Sequence, residues 1–106
     1  MTTMTKAALA GLATTFCVQS ASAEQIDVGL LLPFSGVYAS LGNDIEAGFR
    51  LGLETFGAET DATFEVLRED TEVKPPVALA KARKLMLQDN VDVMVGIVSS
   101  GVLGAV

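Results

Sequence analysis

Hydrophobic positions along the chain switch between two rhythms. Ile26 to Leu32 (I-D-V-G-L-L-L) is a short, almost unbroken apolar run closed by Pro33, the pattern of a central parallel strand buried on both faces. Pro33 to Ser40 contains Pro, Gly and two Ser residues and reads as a loop, with a helix starting between Val37 and Asn43. Ile45, Phe49, Gly52, Leu53 and Phe56 then recur at i, i+4, i+7, i+8 and i+11, one face of a helix that Gly57 is placed to end. Thr63 to Glu69 puts Phe64 and Val66 on one face and Glu65 and Leu67 on the other, which predicts a less buried strand nearer a sheet edge.

Asp70 to Lys74 follows as an exit loop. Pro75-Pro76 suits the first turn of a helix, where a missing N–H costs nothing, and Ala78, Leu79, Ala82, Leu85 and Met86 form its apolar stripe. Lys81, Arg83, Lys84 and Gln88 lie off that stripe. Val91 to Ile97 is rich in β-branched residues and reads as a third strand. V-S-S-G comes next, where a serine can cap the helix that V-L-G-A-V begins. The order βαβαβα predicts an α/β fold: a parallel sheet with right-handed crossovers and helices on both faces. So few strands and helices for a doubly wound sheet lead us to expect the opening of a larger protein.

Residues 1–23 read differently. Met1 to Lys6 is short and polar with one positive charge, Ala7 to Val18 is apolar but for Thr14 and Thr15, and Ala21-Ser22-Ala23 supplies small residues where a signal peptidase reads. This predicts a secretory leader cut after Ala23. The apolar run is too short to cross a hydrocarbon core, which needs about 20 residues. Phe16 before Cys17 is not the small residue a lipoprotein cleavage site wants. The protein is therefore expected to work outside the cytoplasm, with residues 24–106 as the folded part.

Composition narrows the chemistry. Half of the residues are hydrophobic but only 6% are aromatic, so the core is built from Val, Leu, Ile and Ala. The net charge is −6, which argues against a nucleic-acid partner. With no histidine at all, and the one cysteine inside the leader, histidine triads, cysteine nucleophiles, disulfides and Cys- or His-ligated metals drop out. Carboxylate, hydroxyl, lysine and backbone chemistry remain.

Gly96 to Gly101 (G-I-V-S-S-G) has the glycine spacing of a phosphate loop, but Val102 and Leu103 stand where Lys and Ser/Thr are required. The first strand is followed by no G-x-G-x-x-G, and a serine-hydrolase elbow would need serine at Val98. The same segment suits a binding loop: it lies at the carboxyl end of a strand, where open α/β sheets bind ligands. Hydroxyls and free N–H groups at a helix start favour an anion, so Ser99 and Ser100 can hold a carboxylate. The alternative is that one serine caps the helix and the other faces water. If the first and third strands are neighbours, Ser35, Tyr38, Ser40 and Leu41 become wall candidates, although Tyr38 can equally cover its own helix start. Glu69 and Asp70, adjacent carboxylates at a strand end, read as solvated loop charges, the alternatives being acid/base work or a cation site.

Three blocks carry a resemblance: I-D-V-G-L-L-L-P-F-S-G-V-Y-A-S-L-G, E-D-T-E-V-K-P-P-V-A-L-A-K-A-R-K-L and V-D-V-M-V-G-I-V-S-S-G. From Ile26 onward the chain resembles the periplasmic substrate-binding proteins of ABC importers, of the branched-chain amino acid (Leu/Ile/Val-binding) type. The resemblance implies an incomplete first lobe of the type I periplasmic-binding fold and a non-enzymatic receptor without a cofactor. Its implied partners are a small ligand, namely an amino acid, an amide or an aromatic acid, and an ABC permease in the inner membrane. It also implies that Ser100 and its neighbouring backbone bind the ligand carboxylate. Leu41 stands where leucine-binding members often carry an aromatic residue, which argues against leucine, isoleucine or valine as the ligand. Family members close two lobes by a hinge, so this stretch alone is expected to bind poorly. Other readings are a secreted hydrolase or lyase using Asp70 or Glu69, the ligand-sensing domain of a receptor, and a truncated product without function.

Overall fold

A computed structural model describes residues 22–106, and most of the leader lies outside the described residues. Strand β1 (Gln25–Leu32) runs through a 3-10 turn at Gly36–Tyr38 into helix α1 (Ala39–Gly57). Strand β2 (Thr63–Asp70), helix α2 (Pro75–Leu87), strand β3 (Val93–Gly96) and helix α3 (Ser100–Ala105) follow. The sheet order is β2-β1-β3. Both pairings are parallel, from Gln25↔Thr63 to Leu32↔Asp70 and from Val28↔Val93 to Leu31↔Gly96. The expected α/β layout is the one observed, with β1 central.

The apolar run of β1 is buried on both sides because both faces of the sheet are covered. Val28, Leu30 and Leu32 point to the α1 side, packed with Ile45, Phe49, Phe64, Val66 and Val95. Leu31 points the other way, onto Ala82 and Leu85 of α2, with Leu67, Val91, Met94 and Ile97 around them. Helix α3 lies against α2 and buries Val102.

Several boundaries depart from the sequence pattern. Strand β3 is shorter than Val91 to Ile97 at both ends. At its start Asp92 leaves the ladder to meet β1: its N–H donates to the Asp27 carbonyl and its carboxylate accepts the Asp27 N–H, both at 2.8 Å. At its end Gly96 (φ 143°) and Ile97 (φ 71°) turn out of extended geometry. Gly57 does end α1, but not as a left-handed cap; the chain continues into a turn, with the Glu59 N–H donating to the Phe56 carbonyl. Phe56 and Met86, expected on the inner stripes, are 68% and 46% exposed. The chain turns at Gly57 against the Phe64 ring, which leaves Phe56 outside.

Candidate functional site

All three strands are parallel, so their exit loops gather at one edge of the sheet. There Pro33 and Tyr38 from the loop after β1, Thr71 and Val73 from the loop after β2, and Val98, Ser99 and Ser100 after β3 line a hollow of about 230 Å³. Of the six residues singled out from the sequence, Tyr38, Ser99 and Ser100 are therefore brought together, whereas Ser35 and Ser40 do not line the hollow. Leu41 is not in the lining; it sits on α1, 41% exposed. Pro33, Thr71, Val73 and Val98 are wall residues that sequence reasoning missed.

Ser99 occupies the N-cap position of α3, yet its hydroxyl makes no capping hydrogen bond. The first helical bond of α3 runs from the Leu103 N–H to the Ser99 carbonyl at 2.9 Å. The N–H groups of Ser100, Gly101 and Val102 precede it and have no partner within the helix. Ser99 and Ser100 thus bring hydroxyls and the start of α3 to the hollow, while Pro33, Tyr38, Val73 and Val98 give it apolar sides. This is the mixture of apolar wall and few directed polar groups that small-molecule sites use.

The loop after β2 is held in an uncommon shape. Glu72 and Val73 both adopt left-handed backbone, φ 50° and φ 54°, which is costly for a β-branched residue. Thr71, only 2% exposed, anchors them: its N–H donates to the Leu32 carbonyl at 3.0 Å and its hydroxyl oxygen accepts the Val73 N–H at 3.2 Å.

Glu69 and Asp70 are not free loop charges. The Glu69 carboxylate pairs with Lys81 at 2.9 Å and with Lys84 at 2.6 Å, on the α2 side of the sheet. Burial opposes its ionisation, but the hydrogen bonds and charges of Lys84 and Lys81 prevail and hold its carboxyl below the usual value. Asp70 accepts the N–H groups of Phe34 at 2.9 Å and Glu72 at 2.8 Å through one oxygen. Burial again opposes the anion, and the Phe34 N–H, the Ser35 hydroxyl, the Glu72 N–H and the Arg68 charge outweigh it, so this carboxyl too is held low. A carboxylate stabilised as an anion by structural donors is a poor general base. Their signal in the sequence was an aspartate at a strand end followed by a short turn, the setting of an Asx-turn.

The profile of the periplasmic binding protein family matches residues 25–106. The chain belongs to that family. Among solved structures it is similar to an ABC transporter solute-binding protein from R. palustris in complex with benzoate, at 38% identity and a TM-score of 0.71, covering 76% of this chain and 23% of that one. It is also similar to an ABC transporter substrate-binding protein from Sphaerobacter thermophilus, at 31% identity and a TM-score of 0.72, covering 77% and 22%. A third similar structure is a branched-chain amino acid transporter substrate-binding protein from Streptococcus pneumoniae in complex with isoleucine, at 25% identity and a TM-score of 0.70, covering 77% and 24%. The chain thus spans under a quarter of the length of these relatives. No curated protein matches it significantly. Both a benzoate complex and an isoleucine complex occur among the similar structures, so the match shows the periplasmic binding protein family as a whole rather than one ligand type within it. No helix among the described residues is long and apolar enough to cross a membrane.

Proposed function

We propose that this chain belongs to the solute-binding component of an ABC importer and supplies one wall of its ligand site. In this reading a leader cut after Ala23 exports it to the periplasm, where two lobes close on a small carboxylate-bearing solute and deliver it to an inner-membrane permease. The chain performs no chemistry on the solute. Ser99 and Ser100, with the free N–H groups at the start of α3, take the carboxylate, and Tyr38 packs beside the rest of the solute. The observation that carries this reading is the hollow at the carboxyl edge, lined by apolar residues together with Ser99, whose hydroxyl makes no capping bond. Its support from the solved relatives is chemical: benzoate, 3,4-dihydroxybenzoic acid, 4-hydroxybenzoate and isoleucine all carry a carboxylate.

The test is a calorimetric titration of the mature protein, expressed from its complete reading frame, with benzoate, 4-hydroxybenzoate, isoleucine and the carboxylate-free analogue benzamide. Saturable binding of at least one acid, with benzamide much weaker, is the expected outcome. Binding of none of the acids, or equal binding of benzamide, overturns the reading.

A further inference from the structure

Two walls of the hollow come from loops that depart from different strands, and one side chain joins them. Pro33 and Tyr38 stand on the loop after β1, and Thr71 and Val73 on the loop after β2. A single oxygen of Asp70 accepts the N–H of Phe34, the residue after Pro33, at 2.9 Å, and the N–H of Glu72, the residue between Thr71 and Val73, at 2.8 Å. Each donor is therefore the immediate chain neighbour of a lining residue. We propose that Asp70 is a positioning residue for the ligand site, a clasp whose carboxylate sets the wall at Pro33 and Tyr38 against the wall at Thr71 and Val73. The proposal rests on the solute-binding reading.

The surroundings of the clasp support it. The Phe34 ring is covered by the Arg68 guanidinium, 3.8 Å from its centroid, and Arg68 is itself held by the Asn43 side chain at 2.9 Å and paired with Glu46 at 3.4 Å. Glu72 and Val73 are held in left-handed backbone, a conformation that persists only where the surroundings enforce it. Releasing the Glu72 N–H lets Val73 leave the left-handed region, and the wall it forms moves with it. Asp70 touches no lining surface of its own, since it is absent from the residues that border the hollow. Its effect on binding is therefore exerted through Phe34 and Glu72.

The test uses the complete mature protein and its tightest carboxylate from the panel of benzoate, 4-hydroxybenzoate and isoleucine. Asp70→Ala is expected to weaken binding by about tenfold or more, the scale of lost hydrogen bonds to a charged acceptor. Asp70→Asn keeps an oxygen at the same place and should restore binding to within about threefold of the unsubstituted protein. Amide hydrogen exchange at Phe34 and Glu72 should accelerate in the alanine variant and not in the asparagine variant. Glu69→Gln, which breaks the ion pairs on the α2 side, serves as a destabilised control that leaves affinity unchanged. Asp70→Ser, too short to reach both amides, replaces the alanine variant if that one does not fold. Unchanged affinity in the alanine or serine variant, or an equal loss in Glu69→Gln, overturns the proposal. If the unsubstituted protein binds no carboxylate, the solute-binding reading fails, and the exchange rates judge the clasp separately: unchanged protection at Phe34 and Glu72 overturns it, and lost protection supports it.

Discussion

The carbonyl oxygen of Pro33 occupies the space where residue 42 would carry a side chain: a Cβ built on Gly42 lies 1.8 Å from it. This contact packs the start of α1 tightly against the residue that follows β1. Gly42→Ala cannot be accommodated without moving backbone, and is expected to destabilise the protein by about 1–3 kcal/mol. Gly48 and Gly52, on the same helix with nothing near their Cβ positions, should respond oppositely. Gly48→Ala is expected to stabilise by about 0.5–1 kcal/mol. Urea melts of the two variants, compared with the unsubstituted protein, read both signs.

A similar approach closes β3. A Cβ on Gly96, at φ 143°, would lie 2.2 Å from the Leu31 carbonyl oxygen, while the Ile97 N–H donates to that same oxygen at 3.0 Å. Gly96→Ala should therefore cost stability and also shift the loop that carries Ser99 and Ser100. The expected result is a lower melting temperature together with weaker carboxylate binding. A variant that melts lower but binds normally would separate the strand end from the site.

Leu30 and Leu31 face opposite sides of the sheet and are each fully buried. Truncating either to alanine opens a cavity in a different layer, at a cost of about 3 kcal/mol each. Because the two side chains pack on opposite faces of the sheet and have no packing partner in common, the double variant should lose close to the sum, as sites without shared partners do. Denaturant titration of the single and double variants checks both magnitude and additivity.

Acid should loosen the fold through Glu69 and Asp70. Both carboxyls are held below their usual values in the folded chain, so each contributes stability that is present above its unfolded pKa and lost as pH falls toward the folded value. With unfolded values of about 4.3 for Glu and 3.9 for Asp, stability is expected to be level near neutrality and to decline below about pH 4.5. The Glu69→Gln, Asp70→Asn double variant should show a shallower decline. Thermal melts across the acid range make the comparison.

The Ser99 hydroxyl makes no capping bond, so its removal should leave stability nearly unchanged. Under the solute-binding reading, Ser99→Ala and Ser100→Ala each weaken carboxylate binding by about tenfold. A melting temperature that falls with no change in affinity would return these residues to a purely structural role.

Much of the layout was legible because it depends on short-range periodicity. The unbroken run from Val28 to Leu32 requires cover on both faces, and the alternation of Phe64, Val66 and Leu67 requires a strand with two unlike faces. The missed residues share a different property. Thr71 and Val73 look like ordinary loop positions until β2 is set beside β1, and Glu69 acquires its lysines only when α2 crosses the sheet. Phe56 fits its helical stripe well, but nothing in that stripe reveals where the sheet stops covering it.

Residues a few positions apart are enough to define the alternation of strands and helices, the doubly buried β1, and a serine-bearing loop at the carboxyl end of β3. Which loops meet is a matter of strand order. The order β2-β1-β3 brings Pro33, Thr71 and Ser99 around one hollow, and it gives the Asp70 carboxylate its reach to the Phe34 N–H. These contacts span tens of residues, and their geometry is set by strand order and helix crossing, which local periodicity does not encode.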